Sequence, residues 1–227
     1  MELLEGVFIS PTCTLSDYWK DASRIWVDTV RNICVNFGYE DASWEYLERT
    51  NSAILAGCLT CAGAPAMPET YVMRNGKESK QSERVDICIV TCNLGITTLE
   101  LVECKLAEYD ASKPRKPTTV LEILSKLDAA TTQVNGITGI HGVQLANPII
   151  TVKRTSVVIG LPKFPSETTI ALRAEAIQKI ISHLRLNSAV DVVAWCFPEQ
   201  YLEHRSRRYE KDYPGTFLAV KNVPSPI

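Results

Sequence analysis

Long uncharged apolar runs are missing from this sequence. No stretch approaches the length that a membrane-spanning helix needs, and the opening residues, MELLEGVFISP, lack the basic and apolar regions of a secretory signal. We therefore expect an intracellular protein, cytoplasmic or nuclear, with no membrane partner. Linker-like Gly, Pro or Ser tracts and internal repeats are missing too, which predicts a single domain over residues 1–227.

The chain also has little excess charge and few histidines. Its 24 Lys and Arg against 26 Asp and Glu give a net charge of −2, so a nucleic-acid partner would need a local positive surface. A structural zinc site needs four converging ligands, and the three histidines are far apart in sequence. Zinc on Cys58 and Cys61 is therefore a minor alternative. Without a secretory signal, the eight cysteines are interpreted as reduced and mostly buried.

Apolar periodicity predicts helices and strands in a definite order. Helical spacing predicts four helices, which reach about Phe37, Leu59, Val134 and Leu186. The first is capped by Ser16, the second begins near Asp41, the third is capped by Thr118 or Thr119, and the fourth is capped by Ser166. Apolar runs predict strands at 70–73, 85–91, 96–106, 156–161 and 189–196, with an edge strand at 216–220 and a loop at 62–69. The order predicts an α/β fold whose mixed central sheet is flanked by helices on both faces.

We divide the predicted domain into three parts. Residues 1–40 form an N-terminal helical cap, 41–200 form the core and 201–227 form a C-terminal extension. Two aromatic residues of the cap, Trp19 and Trp26, are candidates for covering a partner. The N-terminal helix is therefore the expected surface for a protein partner or for a second copy in a homodimer.

Charged residues interrupt the apolar segment RVDICIVTCNLGITTLELVECK, residues 84–105. The segment predicts a β-hairpin with Asp86 on its first arm and with Glu103 and Lys105 on its second. Alternate side chains of a strand share a face, so Glu103 and Lys105 point the same way. Unpaired charges are costly between apolar strands. Two carboxylates held together across a hairpin favour a cation between them, and oxygen ligands suit Mg²⁺.

The pattern of Asp86, a turn, and then Glu103-Cys104-Lys105 closing an apolar strand resembles the PD-(D/E)XK, or restriction-endonuclease-like, nuclease superfamily. The order helix, three strands, helix, strand over roughly 41–161 is similar to that superfamily's core. The resemblance implies that Asp86 and Glu103 bind Mg²⁺ or Mn²⁺, joined by the backbone carbonyl of Cys104. It also implies that Lys105 is catalytic. The motif's proline is absent, because a valine precedes Asp86.

Many members of the superfamily add an acidic residue from the helix before the sheet. Glu48 falls inside the apolar stripe of that helix, about 40° from Trp44, whereas Glu45 lies at the edge of the stripe. We therefore choose Glu48 as a further metal ligand. Gln133, on the helix after the motif, points away from the apolar stripe of its helix and is given no role. Glu100 is interpreted as a solvated strand residue.

Positive charge follows the motif strand directly. Lys113, Arg115 and Lys116 lie in a predicted loop and are candidates for contacting nucleic-acid phosphates. These observations together predict a Mg²⁺-dependent phosphodiester hydrolase, an endonuclease or exonuclease, and the resemblance favours DNA over RNA as its substrate. The alternative is a nuclease-like fold without activity, acting as a nucleic-acid-binding or protein-interaction module.

Overall fold

A computed structural model describes residues 4–37, 42, 48–74, 83–93, 95–111, 118–140, 143–144, 150–203 and 211–224. The strands are β1 Glu5–Ile9, β2 Ala66–Arg74, β3 Arg84–Asn93, β4 Ile96–Asp110, β5 Ile137–Ile140, β6 Val143–Gln144, β7 Ile150–Pro165, β8 Val192–Cys196, β9 Lys211–Asp212 and β10 Thr216–Val223. The helices are α1 Tyr18–Asn36, α2 Glu48–Cys61, α3 Thr118–Asn135, α4 Ile170–Leu186 and α5 Glu199–Glu203. Among these helices, none has both the length and the apolarity to cross a membrane.

The strands form one mixed sheet. Its order is β1-β8-β10-β7-β4-β3-β2-β5-β6, and β9 pairs with β7 outside this path. Strands β4 and β7 run parallel, whereas the other pairs are antiparallel. Parallel neighbours need a crossover, which α3 supplies together with the short β5 and β6. The predicted α/β class with a mixed sheet is confirmed.

Helices cover both faces of this sheet. On one face α1 and α2 bury apolar side chains such as Trp26 and Leu55 against the strands. On the other face α3 and α4 contribute Leu127 and Ile181 to a second cluster. Apolar residues at helical spacing on α1 explain why this segment forms a helix and packs on the sheet.

Several predictions for the N-terminal part are wrong. The structure adds β1, which pairs with β8 at one edge of the sheet. Trp19 and Trp26 are 1% and 0% exposed, so neither side chain is available to a partner. Both belong to the main core because α1 lies on the sheet itself. The two tryptophans that were candidates for covering a partner are instead buried, because the sheet offers α1 an apolar surface.

Other differences concern lengths and ends of elements. Strand β2 begins at Ala66, within a segment predicted as a loop, because it pairs with β3 along its length. The side chain that caps α4 is that of Thr169, which accepts from the Leu172 backbone N–H, so the predicted cap at Ser166 is wrong. At α1 the N-cap residue is Asp17 rather than the predicted Ser16.

The last strand is the largest correction to the topology. Strand β10 was predicted at an edge, but it lies between β7 and β8 with hydrogen-bonded neighbours on both sides. Its residues from Thr216 to Val220 are buried. Because both edges of β10 are paired and both faces are covered, its sequence is almost continuously apolar, as in other interior strands.

Candidate functional site

The site lies where β3 separates from β4. Pairing between these two strands is continuous from the hairpin turn up to Ile87 opposite Val102. Beyond that point β3 stays paired with β2, up to Tyr71 opposite Arg84. Strand β4 instead continues to Asp110, paired with β7 on its other side. Among the described strands, none pairs with the edge of β4 that faced β3 from Glu103 onward.

Two carboxylates lie in this opening and accept hydrogen bonds from backbone N–H groups of β4 that no longer pair with β3. The backbone N–H of Cys104 donates to Oδ2 of Asp86 at 2.7 Å. The backbone N–H of Leu106 donates to Oε2 of Glu48 at 2.8 Å. A buried backbone donor without a partner is costly, so these contacts hold β4 in place as well as fixing the two acids. Glu48, at the first residue of α2, thus reaches the motif strand.

Lys105 joins the acids across the same opening. Its Nζ lies 3.5 Å from Oε1 of Glu103 and 3.8 Å from Oε1 of Glu48. Glu103 and Lys105 share a face of β4, as the alternation of the strand predicts. The structure therefore brings together Glu48, Asp86, Glu103 and Lys105 around one gap in the sheet.

Arg74, at the end of β2, is a site residue that the sequence analysis missed. Its guanidinium lies 3.3 Å from Oε2 of Glu103 and 2.9 Å from the Glu83 carboxylate. It also donates to the backbone carbonyls of Gln133 and Arg84. No sequence spacing connects Arg74 with the motif, because the pairing of β2 with β3 and β5 is what places it there.

The electrostatics of the opening are unfavourable for two ionised acids. Burial raises the pKa of Glu103 to about 7, and the Asp86 carboxylate raises it as well, against the lowering effect of Arg74 and Lys105. Burial also raises the pKa of Asp86, although the Cys104 N–H and Lys105 lower it. Carboxyl groups whose pKa values are raised by burial and by neighbouring acids are typical of functional sites.

Glu69 extends the acidic cluster on the β2 side. It lies in β2 between Pro68 and Thr70, whose partners in β3 are Ile87 and Val85. Its φ of 54° is in the left-handed region, which is strained for a residue with a side chain. Its charge contributes to the raised pKa of Asp86.

Two arginines hold the Glu69 carboxylate in turn. Arg84 Nη1 lies 3.3 Å from one of its oxygens, and Arg49 Nε lies 3.4 Å from the other. Arg84 also stacks over the ring of Tyr71 at 4.7 Å. The rim of the opening on this side is therefore cationic, although its centre is acidic.

The distances between these residues argue against a bound divalent cation, whereas their chemistry argues for one. Within the described part of the chain, no three His, Cys, Asp or Glu side chains converge closely enough to hold a metal ion. The zinc alternative loses its support there, since Cys58 is buried and Cys61 is exposed. The oxygen donors are nevertheless of the type that Mg²⁺ prefers. A cation would also relieve the repulsion that the Asp86 carboxylate exerts on Glu103, which adds to burial in raising the pKa of Glu103.

The remaining predicted site residues fall into two groups. Lys113, Arg115 and Lys116 lie outside the described residues. Cys104 is described, and its side chain is 0% exposed in the core beneath the opening. Burial raises the pKa of its thiol well above the usual value, so the thiol stays neutral. Gln133 is exposed on α3, consistent with giving its side chain no role.

Glu100 contradicts the sequence prediction most clearly. It is 1% exposed rather than solvated. Trp19 Nε1 and Thr155 Oγ1 each donate to its Oε1 at 2.6 Å, and the Tyr18 hydroxyl donates to its Oε2. The carboxylate is therefore the anchor that ties the first turn of α1 to the sheet. Its partners come from distant parts of the chain, so no local pattern could reveal it.

Scans against protein-family models, curated proteins and solved structures find no match to this chain, so its function has to be inferred from its own geometry.

Proposed function

We propose that this protein is a metal-dependent nuclease that hydrolyses phosphodiester bonds, with DNA favoured over RNA as substrate. The observation that carries the proposal is the opening between β3 and β4, where Asp86, Glu103 and Glu48 surround Lys105. Three carboxylates and an ammonium at one gap in a sheet suit metal-assisted attack on a phosphate.

The order of elements around the opening supports the same proposal. Helix α2 precedes β2, β3 and β4, and α3 leads on to β7, apart from the short β5 and β6. This is the order helix, three strands, helix, strand on which the resemblance to the PD-(D/E)XK superfamily rests. The acids lie on the second and third strands of that order, as the motif requires. The preference for DNA rests on this resemblance alone.

Each residue has a distinct part in the proposed reaction. Asp86, Glu103 and Glu48 would have to move closer together to hold Mg²⁺, since they do not converge on one point among the described residues. The chemistry that this ion would supply is activation of a water and withdrawal of charge from the phosphate. Lys105 would donate hydrogen bonds to the attacking water or to the phosphate oxygens as negative charge develops there.

Metal binding would change the acids from their present state. Glu103, whose pKa is raised to about 7 in the metal-free protein, would be held ionised by a bound cation. Asp86 and Glu48 would each have to release the backbone N–H that they now accept, or use their second oxygen.

A second candidate function is a nuclease-like fold that binds nucleic acid or protein without cleaving. One observation favours it: Arg74 and Lys105 lie within 3.5 Å of the two Glu103 oxygens and already balance its charge. In such a module these ion pairs would replace the metal. The two functions differ in one measurable property, because the module would be indifferent to divalent cations.

The test is cleavage of labelled single- and double-stranded DNA and RNA in Mg²⁺, Mn²⁺ or EDTA. We expect metal-dependent cleavage that Lys105→Met reduces by roughly 10²- to 10³-fold, as for loss of one charge-stabilising donor. Lys153→Met is the matched control, because this exposed lysine donates to Ser16 Oγ on the far side of the sheet. Absence of cleavage in every condition would contradict the nuclease and favour the module. Cleavage that Lys105→Met leaves unchanged would contradict the proposed role of Lys105 and of this opening.

A further inference from the structure

A cavity of about 370 Å³ lies at the opposite edge of the sheet, between β1 and α4. Its lining includes Leu4, Gly6, Ile177, Ile181, Arg185 and Trp195. Small-molecule sites in proteins are concave, mostly apolar and of this size, with a few polar groups that orient the ligand. The β1 cavity has the same composition, since its apolar walls carry one basic side chain.

Gly6 leaves room for an aromatic ring on the face that β1 turns toward α4. Leu4, Gly6 and Phe8 alternate along the strand and share this face. The neighbouring strand places Trp195 directly opposite Gly6. A Cβ atom on Gly6 would lie 2.5 Å from the Trp195 ring, so only glycine leaves room for the ring there. The indole thus forms one wall of the cavity.

Charge at the mouth of the cavity is unbalanced. The Arg185 guanidinium lies 5.2 Å from the ring centre of Phe8 and 6.0 Å from that of Trp195. Aromatic faces hold a guanidinium in place without neutralising it. The one acid in the lining, Glu5, pairs with Arg31 at 2.7 Å instead. Among the described residues Arg185 has no ion-pair partner.

We propose that this cavity binds a small molecule with a flat apolar body and one anionic group. The apolar body would contact Trp195, Ile177 and Ile181, and the anionic group would pair with Arg185 at the mouth. An aryl or acyl carboxylate, sulfonate or phosphate meets these requirements. A neutral ligand would leave the guanidinium unpaired, and a cation would be repelled by it.

The cavity is separate from the proposed nuclease site. It lies beside β1, whereas the opening lies between β3 and β4, and strands β8, β10 and β7 run between them. The inference therefore does not depend on the proposed function. Loss of cleavage in a site variant and loss of ligand binding in a cavity variant are separate results.

Two fluorescent probes with the same aromatic skeleton provide the test. Anilinonaphthalene sulfonate carries an anionic group, and phenylnaphthylamine lacks it. We expect the full-length folded protein to bind each probe with a stoichiometry of one. The sulfonate should bind about five-fold more tightly, the upper end of what a solvent-exposed ion pair contributes.

Three variants of α4 locate the binding site. Arg185→Gln should remove the five-fold difference while leaving the neutral probe unaffected. Lys179→Gln is the matched control, because Lys179 lies on the same helix but pairs with Glu175 outside the cavity. Ser182 is exposed on the cavity wall, so Ser182→Trp should fill the space without disturbing the core. This variant should weaken both probes about ten-fold or more.

Each outcome of these binding experiments tests a separate part of the proposal. Equal affinities of the two probes for the unmodified protein, or an unchanged preference in Arg185→Gln, would overturn the role of Arg185. Probe binding that Ser182→Trp leaves intact would place the probes elsewhere on the molecule and overturn the site. Absence of stoichiometric binding by either probe would overturn the proposal as a whole.

Discussion

Glu100 and Glu103 lie on the same strand, β4, and are almost equally inaccessible to water, at 1% and 4% exposure. Glu100 faces the α1 side of the sheet, where three donors surround it, those of Tyr18, Trp19 and Thr155. All three donors point at the carboxylate, and within the described part of the chain it has no hydrogen bond with another acid. Its charge is thus solvated by the protein in place of water.

Glu103 faces the other side and has a different set of neighbours. Two cations, Arg74 and Lys105, lie at 3.3 and 3.5 Å, but the Asp86 carboxylate is also close enough to raise its pKa. The net result of burial and neighbours is a pKa of about 7. Burial alone therefore does not identify a functional acid. What distinguishes Glu103 is that its ionised form is destabilised where it lies.

The same substitution at the two positions should change stability in opposite directions. Glu100→Gln should lower the free energy of unfolding by about 2 kcal/mol, because buried donors lose an ionised acceptor. Glu103→Gln should raise it by about 2 kcal/mol at pH 8, because a carboxylate ionised at a cost is removed. Urea unfolding of both variants measures the difference of about 4 kcal/mol. A loss of stability in both would make the two acids equivalent.

The pH dependence of stability sharpens the comparison further. The pKa of Glu103 is about 7 in the folded protein, above its ordinary value of 4.5. Between these values the folded state binds more protons than the unfolded state, so stability is highest below pH 4.5 and falls as the pH rises to 7. This group alone should account for about 3 kcal/mol of the fall. Unfolding followed from pH 4.5 to 8 should be correspondingly flatter in Glu103→Gln than in the unmodified protein.

Divalent cations should bind at Glu103 and not at Glu100. At Mg²⁺ concentrations ten times the dissociation constant, binding to the folded state adds about 1.4 kcal/mol, a rise in Tm of about 3 to 6 °C for a chain of this length. Glu103→Gln should lose the rise, and Glu100→Gln should keep it. A rise that persists in Glu103→Gln would show that the ion binds elsewhere. Scanning calorimetry with Mg²⁺ or EDTA gives this answer without any substrate.

Local patterns in the sequence were sufficient for most of the elements that form the site. Alternation along the hairpin predicted that Glu103 and Lys105 share a face, and the 3.5 Å contact agrees. Helical periodicity predicted an inward Glu48, whose carboxylate does reach β4. Both predictions depend on residues close in sequence, where the geometry of one strand or one helix fixes the direction of a side chain.

Features that depend on distant pairing were missed. Arg74 reaches Glu103 only because β2 lies between β3 and β5. Glu100 is buried because α1 lies on that face of the sheet, and strand alternation cannot report which face is covered. The interior position of β10 is likewise a property of the whole sheet. The sequence shows which residue types stand at these positions, but it does not show which residues lie next to them in the folded protein.

Strand β10 has a consequence for how the protein is made. It fills the space between β7 and β8, which precede it in sequence. Until Thr216–Val223 has left the ribosome, each of those strands has an open apolar edge that another chain could pair with. Strand β1 precedes the other described strands in sequence, and β8 is its only partner among them. It therefore stays unpaired until β8 has been synthesised. The sheet that holds the candidate site is therefore completed only after β10 has followed β7 and β8 out of the ribosome.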